Sequence, residues 1–271
     1  MMPFSALVLA LASAVLHAIW NLLLGRARDL QAATAATFLL ALAIALPFAL
    51  LWWSADPSVW PYALASTLLE VAYVLALVHA YRVSEISFAY PVSRGIAPVL
   101  VLAVSVVVLS HRATAAEGAG VVLVGLGVVL VGSRRGVRVP AHALLVAAAL
   151  GATIAAYTLV DRAGIQRAGA LTYFVLTLAG PCLVYPPLVG GRAIRAALDR
   201  FIVLAAIANL GSFTLGLLAL RYGSAASVLA VRSSSVVIAT LLAARLLAED
   251  VSRRRIAGSV LVFAGVALLA L

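Results

Sequence analysis

Runs of about twenty apolar residues recur from end to end of this 271-residue chain, and they leave it few ways to fold. A helix that crosses the hydrocarbon core of a bilayer needs about 20 mostly apolar residues. Ten stretches qualify: 3–24, 32–53, 60–81, 86–109, 115–132, 141–160, 170–189, 201–220, 225–247 and 256–271. They are continuous, without period-two alternation, and so predict helices rather than barrel strands. Hydrophobic residues make up 65% of the chain and charged residues 10%. No soluble fold of this size hides so much apolar surface, so lipid must cover the rest. The loops are short, at 26–29, 56–57, 134–140 and 249–255 for example, and leave no room for a soluble domain. The first apolar run has no basic segment before it and many runs after it. It reads as a first span rather than a cleaved signal.

The chain also repeats itself. AGVVLVGLGVVL at 119–130 and AGSVLVFAGVAL at 257–268 agree at eight of twelve positions, at an offset of 138. The same offset brings Arg94 onto Arg232 and Leu109 onto Leu247. With one residue of slip, Arg82 meets Arg221 and Glu70 meets Asn209. The expected architecture is therefore an all-α integral membrane protein. Its ten transmembrane helices form two inverted five-helix repeats, 1–138 and 139–271. An odd number of spans per repeat makes the second half enter the membrane from the opposite side, as recurs in secondary transporters.

All 19 basic residues are arginine, and the formal net charge is +10. The arginines are scattered through short loops, which argues against nucleic-acid binding and for a role in membrane orientation. Loops 1–2, 3–4, 5–6, 7–8 and 9–10 hold 12 of them, and the other four loops hold Arg112, Arg162, Arg167 and Arg221. The positive-inside rule puts the richer side in the cytoplasm and both termini outside. A bacterial-type plasma (inner) membrane is the expected location. Cys182 is the single cysteine, so no intrachain disulfide forms.

HAIWN at 17–21, LEVAY at 69–73, YPVSRGIAP at 90–98 and the glycine-spaced fifth and tenth spans carry a family likeness. The layout resembles EamA-type transporters of the drug/metabolite transporter superfamily, over nearly the whole chain. The resemblance implies export or exchange of amino acids, metabolites, nucleotide sugars or drugs. It also implies cytoplasmic termini, the opposite of what the arginine count predicts.

Ionisable residues within spans cost about 2.5–3.5 kcal/mol each at a helix centre on insertion scales, and they usually face the bundle interior. Glu70 lies midway along the third span and is the expected proton-coupling or cation-binding group, since burial favours its neutral acid. The other reading is an ion pair with Arg94 or a hydrogen bond to His17. Arg94 and Arg232 suit an anionic or zwitterionic solute, because a guanidinium binds carboxylates bidentately. They would otherwise snorkel to headgroups or pair with Glu70. Ser233 follows Arg232 and, with Ser234 and Ser235, either lines a polar cavity or bonds back to helix carbonyls. His17, Trp20, Asn21 and Leu24 share one helix face. Tyr157 stands at the repeat position of Trp20, with Asp161 one turn on. With Tyr73, Tyr90 and Asn209 these make a polar–aromatic lining for a solute, or equally an interhelical core. His79 sits opposite Glu70 on its span and reads as structural. Pro91 and Pro98 bracket Arg94 and can kink their helix. Gly120, Gly127, Gly258 and Gly265 read as close helix packing.

No HExxH, GxSxG or Cys/His set is present, which argues against an intramembrane enzyme. The expected function is a secondary transporter moving a small metabolite by alternating access, possible proton coupling included. A lipid or lipid-linked sugar flippase and a non-transporting sensor or scaffold are the alternatives. The expected partners are the lipid bilayer and a small-molecule solute, with a homodimer open. No cofactor and no metal are expected.

Overall fold

The computed structural model describes residues 2–83, 86–132, 141–247 and 253–270, without the side chains of 78–83, 86–91, 132, 142, 143, 240 and 243–247. Among these residues the chain is all-helical: α1 (Phe4–Leu24), α2 (Leu30–Leu51), α3 (Trp60–Val83), α4 (Ile86–Val107), α5 (Ala115–Gly132), α6 (Ala141–Gly164), α7 (Ala170–Val189), α8 (Gly191–Ala197), α9 (Arg200–Tyr222), α10 (Ala225–Ser233), α11 (Ser235–Leu247) and α12 (Arg253–Ala270). Six described stretches are long and apolar enough to cross a membrane: Phe4–Leu24, Leu30–Leu51, Pro57–Leu77, Leu144–Gly164, Ala170–Val189 and Arg200–Tyr222. Val92–Val107, Ala115–Val131 and Ala225–Ala239 are shorter apolar stretches. Large apolar side chains such as Leu64, Leu68, Leu126, Leu183, Leu204 and Phe263 stay exposed, as a lipid-facing surface requires.

Polar residues at the loops stop and start the helices. Asp29 accepts from the Ala32 amide at 3.0 Å and caps α2, and Asp199 accepts from Ile202 at 2.8 Å and caps α9. Ser224 and Thr114 do the same for α10 and α5. Each cap satisfies a donor that has no carbonyl partner within its own helix. Three features depart from the expected spans. The run 225–247 is broken at Ser234, where the Oγ and N–H of that serine both return to the Val231 carbonyl. A short helix, α8, fills the loop before α9. α6 runs on to Gly164, so Asp161 lies inside the helix rather than in the loop after it.

Small residues set how closely helices approach. α5 packs on α12 with Gly127 facing Gly258 and Gly120 facing Gly265. A Cβ on Gly127 would stand 2.6 Å from the Gly258 carbonyl oxygen, and one on Gly258 would stand 2.7 Å from that of Gly127. The obstacle is backbone on both sides, so the helices would have to part. Gly127→Ala should therefore destabilise the bundle by about 1–3 kcal/mol. Thermal unfolding in detergent would register this as a lower midpoint, and an unchanged midpoint would mean the seam is looser than drawn. α1 packs on α9 through reciprocal bonds: Ser13 Oγ donates to the Ser212 carbonyl at 2.6 Å and Ser212 Oγ to the Ser13 carbonyl at 3.0 Å.

The end of the bundle that carries the N-terminus is sewn together. The Gly169 amide donates to Ser54 O at 2.6 Å and the Asp56 amide to Arg167 O at 2.7 Å. Arg162 donates to Gly223 O at 3.0 Å, and Arg221 to the carbonyls of Ile165 and Ala168. Glu117 accepts from Ser224 and Ser227 and lies 2.9 Å from His111 Nε2. Arg162, Arg167 and Arg221, three of the four arginines on the poorer side, each donate to backbone carbonyls here.

Candidate functional site

A cleft lies in the middle of the bundle, in two compartments that share the walls Phe38, Tyr73, Val74, Tyr157 and Phe213. The larger, about 160 Å³, runs from His17 and Arg94 past Trp20 and Asn21 to Gly25 and Leu30 at the α1–α2 turn. It thus reaches toward the arginine-rich end, away from the sewn one. The smaller, about 40 Å³, holds Glu70 and Asn209 against Phe174, Thr177 and Pro181 of α7. Tyr73 and Tyr157 meet edge-on, with ring centres 6.1 Å apart, and form the partition.

The larger compartment is rich in donors. His17 and Arg94 are both buried. Arg94 Nη2 lies 2.8 Å from His17 Nε2, and the Trp20 indole donates to His17 Nδ1 at 3.1 Å. The indole N–H and the guanidinium can both only donate, and a neutral imidazole has a single accepting nitrogen, so His17 accepts from one of the two at a time. Asn21 Nδ2 donates to the His17 carbonyl at 2.7 Å, which holds the next turn of the same face in place. Gly95, the residue after Arg94, and Gly125 bring α4 and α5 together backbone to backbone.

The smaller compartment is mostly apolar and holds one carboxylate and one amide. Glu70 is half-buried and has no ion-pair or hydrogen-bond partner among the described residues. Arg94 meets His17 instead, so neither alternative partner expected for Glu70 is joined to it. Asn209 is fully buried, and neither its amide oxygen nor its amide nitrogen has a hydrogen-bond partner there. A buried amide left without partners costs about 1–3 kcal/mol, which a bound polar group would recover. One turn from Glu70, Ser66 donates to Asp161 Oδ1 at 2.5 Å, and the Tyr173 hydroxyl donates to the same oxygen at 3.1 Å.

The cleft brings together His17, Trp20, Asn21, Glu70, Tyr73, Arg94, Tyr157 and Asn209. Arg232 and Ser233 lie behind it. Arg232 Nε donates to Ser13 Oγ at 2.9 Å, and its guanidinium covers the Phe213 ring with the backbone of Gly216 beside it. Ser233 Oγ donates to the carbonyls of Arg94 and Leu229, so its hydroxyl ties α10 to α4. The side chains of Tyr90, Pro91 and His79 lie outside the described residues. Phe38, Phe174 and Phe213 line the cleft without having been singled out, because nothing local separates a lining aromatic from a core aromatic. Asp161 is a second buried carboxylate where only Glu70 was expected. Its charge ends the apolar run at 160 and so hides it from a hydropathy count.

Among solved structures, one crystal structure with no activity in its name superposes on the chain with a TM-score of 0.77. It covers 98% of each chain at 19% identity and so speaks for the fold alone. No curated protein matches. The family of EamA-like transporters matches residues 141–271. With its apolar helices, this makes the chain a multi-pass membrane protein whose second half is similar to the EamA-like transporters of the drug/metabolite transporter superfamily.

Proposed function

We propose that the chain is a secondary carrier for a small zwitterionic solute, such as an amino acid, which it exchanges for protons by alternating access. The observation that carries this reading is the polarity of the cleft. A guanidinium and an imidazole stand at one end, a carboxylate and an amide without partners among the described residues at the other, and aromatic rings lie between. A solute carboxylate suits the Arg94 fork, and a solute ammonium suits Glu70 and the Asn209 oxygen. Ammonium and proton then compete for Glu70. A proton entering down its gradient displaces the solute, which leaves the other way.

Two inverted halves, as the repeat of 119–130 at 257–268 suggests, would support the alternating step. Exchanging the halves carries the α1–α9 contact onto α3–α6, α2–α9 onto α3–α7, and α4–α6 onto α1 with α10 and α11. The α5–α12 and α2–α7 contacts map onto themselves, as does the pairing of Gly127 with Gly258 and Gly120 with Gly265. One sewn end and a cleft reaching toward the other describe one side of the cycle. With the arginine-rich end in the cytoplasm of a bacterial-type cell, that side is the inward-facing one.

Proteoliposomes preloaded with amino acids should release them when an inward proton gradient is imposed. The matching amino-acid amides, which lack the carboxylate, should stay inside. Equal release of amides, or release indifferent to the gradient, would sink the zwitterion reading. No flux for any of them would leave a flippase or a sensor in its place.

A further inference from the structure

Glu70 is not the only carboxylate at the α3–α6 interface. Asp161 stands on α6 one turn from Tyr157, and its bonding partner Ser66 stands on α3 one turn from Glu70. Both carboxylates therefore belong to one helix–helix seam. They differ in what surrounds them. Two hydroxyl donors converge on Asp161 Oδ1, from α3 and from α7. Glu70 faces the cleft with no donor among the described residues. Donors favour a carboxylate that keeps its charge, and their absence favours one that carries a proton. Along the bundle Asp161 also lies nearer the sewn end than Glu70 does, because α3 starts there and α6 finishes there.

We propose that Glu70 and Asp161 act as one proton-binding pair, in which Asp161 keeps the negative charge and Glu70 takes up and releases the proton. Asp161 is thus a positioning residue for the coupling step, and the idea rests on the proton-coupled exchange proposed above. The inverted-repeat mates of the pair are Asn209 and, at the offset that aligns Tyr157 with Trp20, Leu24. The coupling therefore sits on one side only of a two-fold fold. The other charged or titratable groups around the pair are Tyr73 on α3, Arg94 on α4, Tyr157 on α6, Tyr173 and Cys182 on α7, Arg232 on α10, and His17 on α1. Two arginines against two carboxylates make this core neutral when both acids are ionised. Each proton bound then leaves one positive charge in the core.

Infrared titration of the carboxyl C=O band, on purified protein in liposomes without solute, tests the pair. Acidification should raise one band, and Glu70→Gln should remove it. In Asp161→Asn that band should appear at a pH lower by more than about one unit, because the negative neighbour that held the proton is gone. Asp161→Glu should restore the midpoint. An unmoved midpoint in a folded Asp161→Asn protein overturns the pair, and so does a band removed by Asp161→Asn rather than by Glu70→Gln. Should Asp161→Asn fail to fold, Tyr173→Phe takes away a single donor. A second carboxyl band is then expected, and a spectrum identical to the parent's overturns the proposal. Solute has no part in this titration. The pair can fail while exchange holds, and flux can fail while the pair stands.

Discussion

Protein carrying Glu70→Gln, reconstituted into liposomes, should move no solute uphill when a proton gradient is imposed. Solute should still exchange for solute, more slowly and without dependence on pH. The glutamine keeps the shape of the side chain and one oxygen to accept a hydrogen bond, but it can neither bind nor release a proton at neutral pH. The substitution is mild for the fold, since Glu70 is only half-buried and has no partner among the described residues to lose. A charge held partly out of water is costly where no described residue pairs with it, so the neutral amide should leave stability equal or slightly higher. Solute exchange with unaltered stability is thus the internal control. Gradient-driven accumulation that survives Glu70→Gln at full rate, with its pH dependence intact, would take the coupling away from this residue.

The second large effect is on affinity. Arg94→Ala removes the one guanidinium that lines the described cleft, and with it a charge-assisted interaction of about 1.5–3 kcal/mol with a solute carboxylate. The apparent affinity should fall by roughly 10- to 100-fold at little cost in gradient dependence, because Glu70 is untouched. Arg94→Lys separates charge from geometry: an ammonium restores the charge without the fork and should recover only part of the affinity. His17 complicates the alanine variant, since its Nε2 loses the neighbour that stands 2.8 Å away. Titrating solute against protein by thermal shift reads binding directly. Equal shifts for parent and Arg94→Ala would remove this arginine from the site. Arg232 serves as the contrast. Its Nε is bonded to Ser13 behind the Phe213 ring, so losing it should weaken the α1–α10 packing and lower the unfolding midpoint more than it weakens binding.

The two arginines show how far residue order can be read. Arg94 and Arg232 occupy matching repeat positions and looked interchangeable. In three dimensions one lines the cleft and the other braces its wall, because Gly216 leaves room for a guanidinium against α9 and Phe213 closes over it. The serines after Arg232 went the structural way: Ser233 and Ser234 return their hydroxyls to helix carbonyls, where a broken helix leaves acceptors within reach. The glycine spacing was legible as packing, and α5 and α12 bear this out.

The order of residues alone determined that the chain is helical and lies in a membrane, because hydropathy is a local sum over about twenty residues and needs no knowledge of neighbours. It also marked His17, Glu70, Arg94 and Arg232 as worth attention, since an ionisable side chain inside an apolar run is costly wherever it ends up. Only the tertiary structure decided which of them share a space. The seam of α3 with α6 set Asp161 against Ser66, one turn from Glu70, and the Arg94 side chain of α4 reaches His17 on α1. Such meetings depend on which faces of distant helices touch. That is a sum over the whole bundle, and no window along the chain contains it.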